Sequence, residues 1–105
     1  MSNRIKLAGL VLVGISAVST AFAQAGADTY KAKCQMCHGA AGMADSPAGK
    51  SMKVKPVTDP EVKKMDEAQM IDATQKGMGK MQPFAGKLTD AQIKDAVTHF
   101  RTFIK

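Results

Sequence analysis

The sequence predicts an all-α protein, on three observations. Thr89-Asp90-Ala91-Gln92 has the form of a capping box, and Ile93, Val97, Phe100 and Ile104 follow it at helical spacing. Asp66-Glu67-Ala68-Gln69 is a weaker box ahead of Met70, Ile71 and Thr74. Beyond residue 24, no segment sustains the period-two alternation that a half-buried strand requires.

The chain opens with Arg4 and Lys6, runs through an apolar stretch from Leu7 to about Val18, and reaches Ala21-Phe22-Ala23 before Gln24. That is the layout of a secretory signal peptide over residues 1–23, cleaved after Ala23, with a second register ending at 25. An uncleaved anchor is the competing reading, since about 20 apolar residues can span a bilayer. The length of the apolar region and its small-residue exit favour cleavage. The remaining domain, residues 24–105, has 13 Lys and Arg against 9 Asp and Glu, a net charge of +4, and no expected membrane span. A domain this short buries only about 60% of the surface its unfolded chain exposes. With four phenylalanines, one of them in the leader, one tyrosine and no tryptophan, it needs something else to fill its core.

The first helix is expected from about Ala27 through Cys37, with Asp28 at its positive end. Tyr30, Cys34 and His38, at i, i+4 and i+8, fall along one face of it. Residues 39–60 read as loops with one short helical turn, punctuated by Gly39, Gly42, Pro47, Gly49 and Pro56. Asp59 caps a short helix that Pro60 opens and that runs to about Lys64. Gly77 closes the helix that starts after Asp66, and Thr89 starts the last one.

The only cysteines stand in Lys33-Cys34-Gln35-Met36-Cys37-His38-Gly39. A disulfide between Cys34 and Cys37 closes too small a loop to stabilise much through chain entropy. A thioredoxin-like pair wants a βαβ context, which is missing. Structural zinc commonly pairs one C-x-x-C with a second spaced pair, and none exists, although His99 could supply a fourth ligand. C-x-x-C-H is also the attachment motif for haem c, and this reading is the one we adopt. Cysteines three apart on a helical turn can straddle one edge of the macrocycle, and His38 then reaches its iron from one side. Covalent bonds hold the group in a domain too small to enclose it.

The other face of the iron separates a carrier from a catalyst, because a methionine there closes the site and raises the reduction potential. Met36, Met43, Met52, Met65 and Met70 read as core filler. Met78 and Met81, close together in Gly77-Met78-Gly79-Lys80-Met81-Gln82-Pro83-Phe84, remain as candidates.

Tyr30 four residues before the cysteine motif, the Gly/Pro-rich middle, the G-M-G-K-M-Q-P-F segment and the final L-T-D-A-Q-I helix occur in one order. In that order the sequence resembles the small mono-haem class I c-type cytochromes over nearly all of residues 24–105. The resemblance implies a few helices wrapped around one covalent haem c, and a one-electron carrier cycling between Fe(II) and Fe(III), with no enzymatic activity. It implies Cys34 and Cys37 as thioether tethers, His38 as proximal ligand and Met81 as distal ligand, with Met78 the alternative. It also implies a hydrogen bond from His38 to the carbonyl of Pro47, or less well Pro56, and haem surroundings that include Lys80, Pro83 and Phe84. One departure is His99, where the family usually has an aromatic; the contact between first and last helices then falls to Tyr30 against His99 and Phe100.

The resemblance and the leader together imply a periplasmic monomer that meets redox partner proteins with acidic docking surfaces. Lys31, Lys33, Lys50, Lys53, Lys55, Lys76, Lys80 and Lys87 would supply the steering field, although any one lysine is as well read as solvated surface. Nucleic acid is excluded by the modest charge and the lack of a basic stripe interleaved with aromatics. The alternative function is a haem gas sensor or peroxidase-like protein with a weak distal ligand. N-terminal sequencing of the exported protein is expected to begin at Gln24 or, in the second register, at Gly26. A start at Met1 or Ser2 would show that the leader is retained.

Overall fold

The computed structural model describes residues 21–105; residues 1–20, and with them most of the expected leader, lie outside the described residues. Residues 21–33 form helix α1, which is already helical ahead of the expected start at Ala27. The alanines of this stretch favour helix intrinsically, and its single glycine, Gly26, is used for packing. The helix also breaks earlier than expected. Cys34 is a turn (φ −117°, ψ −35°), and helix resumes as α2, Gln35–His38.

Helix α3, Pro47–Ser51, is the one short turn in the loop-rich middle, capped by Ser46, and the three later helices start where their caps predict. Helix α4 is Pro60–Lys64, with the Asp59 carboxylate accepting from the Glu61 backbone N–H. Helix α5, Glu67–Lys76, and helix α6, Asp90–Arg101, both carry complete capping boxes, on Asp66/Gln69 and Thr89/Gln92. Gly77 ends α5 at φ +79°, a conformation that glycine adopts without strain. No strand occurs among the described residues.

Helix α5 packs along α6, and the apolar faces of the two enclose Met70, Phe84, Ile93 and Val97. Val62, Met65, Ile71, Met81, Leu88, Phe100 and Ile104 pack around that cluster. Arg101 ties α6 to the α4–α5 link by donating to the Met65 carbonyl (2.9 Å). Helix α1 crosses α6 at Gly26, where a Cβ would lie 2.5 Å from the Asp95 carbonyl oxygen. One turn further on, Tyr30 is buried against His99, Phe100 and Phe103, with centroids 5.3, 6.2 and 5.6 Å away.

Two methionines expected in the core are not there. Met36 is 76% exposed and Met43 44% exposed. Helix α2 has only four residues, and its neighbours Cys37 and His38 take the inward positions. Met43 lies on the loop surface between buried Gly42 and buried Ala44.

Gly26→Ala is expected to destabilise the haem-loaded protein by about 1–3 kcal/mol, the range for overpacking a close contact. Thr89→Ala should cost about 1 kcal/mol through loss of the α6 cap. Denaturant midpoints with unchanged slope check both, and an unchanged midpoint for Gly26→Ala would contradict the crossing described.

Candidate functional site

The cysteine motif is held from three directions. From α1, the Tyr30 carbonyl accepts from Cys34 N–H (2.8 Å), and the Cys34 carbonyl in turn accepts from His38 N–H (3.0 Å). From below, the Tyr30 hydroxyl donates to the Gly39 carbonyl (2.6 Å), and Gly39 ends α2 at φ +83°. Burial raises the Tyr30 pKa most, with the charges of Cys34 and Asp45 adding, so the phenol stays a donor. From the side, α3 brings buried Gly49 onto the Cys37 carbonyl, where any side chain would collide. The Ser46 hydroxyl caps α3 by accepting from Gly49 N–H (3.1 Å), and it donates to the Met36 carbonyl (2.5 Å).

Cys34 and Cys37 are half-buried free thiols. Burial, then the neighbouring Cys37, pushes the Cys34 pKa up to about 11, so it is not the low-pKa thiolate that a thiol redox centre uses. The Met52 sulfur lies 3.9 Å from the Cys37 sulfur. The His38 ring meets the Phe100 edge at 5.3 Å, and burial pulls its pKa below the ordinary value, favouring neutral imidazole. Its Nδ1 is buried without a hydrogen-bond partner. A bond from His38 to Pro47 is therefore not formed, although α3, which Pro47 opens, sits against the same turn. His99 lies against Tyr30 and Phe103, and no group of three His, Cys, Asp or Glu converges among the described residues.

The second candidate ligand comes from the segment between α5 and α6. Met78 and Met81 exchange backbone hydrogen bonds (2.9 and 3.2 Å) across Gly79 and Lys80, forming a tight turn. Their side chains differ in burial: Met78 is 62% exposed, whereas Met81 is half-buried and packs on the α5–α6 cluster. Phe84 anchors the segment, being buried and donating its N–H to the Thr74 carbonyl (2.9 Å). Pro83 and Lys80 are exposed.

Residues 21–100 match the family model of cytochrome c oxidase, cbb3-type, subunit III. The chain belongs to this family. Among solved structures, the KustC0563 c-type cytochrome is similar at a TM-score of 0.68 and 29% identity, over 76% of this chain and 98% of that chain. No curated protein matches significantly. The protein is thus a small, all-α c-type cytochrome, and its cofactor is covalent haem c with iron.

The residues fit that group: two unbridged thiols on one turn, an imidazole beside them whose buried Nδ1 has no partner, and a methionine, Met81, partly buried on the α5–α6 cluster. Sequence reasoning missed Gly26, Gly49, Ser46 and Met52. Close approach of backbones carries no periodic signal, and Gly26 sits beside the end of the leader. Mass spectrometry of the exported cytochrome after acid denaturation is expected to give the chain plus one haem. The double variant Cys34→Ala/Cys37→Ala should give a bare chain; a bare wild-type chain with a Cys34–Cys37 disulfide would contradict the assignment.

Proposed function

We propose that this cytochrome is an exported one-electron carrier in which Cys34 and Cys37 tether the haem while His38 and Met81 ligate its iron. When bound, the haem supplies one-electron Fe(II)/Fe(III) chemistry. The observation that carries the ligand choice is the contrast between Met81, fixed against the α5–α6 core, and Met78, exposed on the same turn. A sulfur already packed in place loses little freedom on ligation and moves little between oxidation states. The imidazole is held by the α2 backbone and the Phe100 edge, and Nδ1 is left for the Pro47 carbonyl, a second contact of the kind that orients metal-bound histidines.

The charge distribution supports meeting acidic partners at this face. Residues 31–55 hold five lysines and one acid, Asp45, and residues 76–87 hold three lysines and no acid. All eight lysines are exposed; Lys55 is paired with Glu61 and Lys76 with Asp72, and the other six make no ion pair among the described residues. Such a field steers encounter and weakens with salt. The family's name describes a subunit of an oxidase, which agrees with a domain that passes single electrons to another redox centre. The periplasm is the compartment the leader implies, and a monomer is the state expected there.

The test is optical. A methionine-to-iron charge-transfer band in the oxidised protein, and no carbon monoxide binding by the reduced protein, are the expected results. Met81→Ala should abolish the band and admit carbon monoxide while Met78→Ala leaves both unchanged. Rapid carbon monoxide binding by the native protein would favour the gas-sensor or peroxidase-like reading instead.

A further inference from the structure

The loop after α2, the approach to α4 and the end of α6 enclose a surface depression of about 410 Å³ that neither residues 34–38 nor residues 78–81 line. Its floor is apolar, made by Met43, Val57 and Phe103. The floor is preformed. Val57 is buried and donates its N–H to the Gly42 carbonyl (2.9 Å), and Gly42, at φ +74°, lies directly under Val57, Phe100 and Phe103. Met43, part of this floor, is a large apolar side chain that leaves 44% of its surface exposed.

The rim is basic. Lys63 and Lys105 line the depression, no acidic residue does, and neither lysine makes an ion pair among the described residues. The nearest acids on α4 are engaged elsewhere, Asp59 in the cap and Glu61 with Lys55. Lys63 is the firmer of the two cations, since charge at Lys105 is offset wherever a terminal carboxylate follows it. An apolar floor with ammonium groups beside it is complementary to a short segment that carries an apolar anchor between carboxylates.

We propose that this depression is a docking point for an acidic segment of a partner protein, which seats one aliphatic or aromatic side chain on Met43, Val57 and Phe103 beside Lys63. None of the candidate tethers, ligands or haem surroundings lines it. A partner bound there holds the cytochrome while the haem-bearing face stays free for electron transfer. Only that purpose rests on the carrier reading; the binding is measured without any electron transfer, so the two fail separately.

The probe is a synthetic peptide with a central leucine flanked by glutamates, titrated into isotope-labelled, haem-loaded protein at low ionic strength and followed by NMR shifts. Saturable shifts at Met43, Val57, Lys63 and Phe103 are expected. Lys63→Glu should weaken binding on the order of fivefold, with salt weakening it further. Lys63 is exposed and makes no side-chain bond among the described residues, so its reversal leaves the fold intact. Met43→Gln tests the floor independently and should weaken binding without changing its salt dependence. Shifts confined to residues 34–38 and 76–87 would overturn the proposal, as would equal binding by the peptide with serine for leucine or glutamine for glutamate.

Discussion

Tyr30 joins three parts of the molecule at once, and the placement of the cysteine motif follows from it. Its ring is buried against His99, Phe100 and Phe103 of the α6 end, its hydroxyl holds the Gly39 carbonyl, and its own carbonyl accepts from Cys34. The hydroxyl bond contributes on the order of 1 kcal/mol net to stability. Its larger effect is geometric. Together with the Tyr30 carbonyl it fixes both ends of a five-residue segment, Cys34 to His38, relative to α6, and Phe100 then carries the frame onto the imidazole. Gly26 is the condition for that contact, since α1 could not lie close enough to α6 with a side chain there.

A chain of this size builds a small core. Ile93 is the one large side chain that is fully buried among the described residues, and the α5–α6 cluster is completed by residues that are themselves partly exposed. Covalent haem c resolves the deficit: in the proposed arrangement two bonds, to Cys34 and Cys37, retain a group that so few residues could not enclose. The orphaned Nδ1 of His38 marks a second unfinished contact. A buried polar atom without a partner is costly, and in the proposed arrangement the Pro47 carbonyl supplies its acceptor while the other ring nitrogen ligates the iron.

Local signals made much of the fold legible. The boxes at Asp66 and Thr89, the Asp59-Pro60 start of α4 and the Gly77 stop of α5 all depend on residues within four positions of the helix end. Tertiary approach was not legible in the same way. Gly26 against Asp95 and Gly49 against Cys37 involve backbone meeting backbone, which leaves no pattern in sequence. Met36 and Met43 show the opposite failure: apolar character suggests core, but Cys37 and His38 take the inward positions of α2 and the loop turns Met43 out. The aromatic contact that His99 inherits was anticipated for Tyr30 and Phe100, and Phe103 was the member left out.

The central proposal is that a rigid helical frame presents His38 and Met81 to the same iron in both oxidation states. X-ray absorption at the iron edge, recorded on oxidised and reduced haem-loaded protein, tests it most directly. One sulfur and five nitrogen neighbours are predicted in each state, with nearly equal bond lengths. Six nitrogen or oxygen neighbours, a five-coordinate iron in either state, or a sulfur lost on oxidation would contradict it.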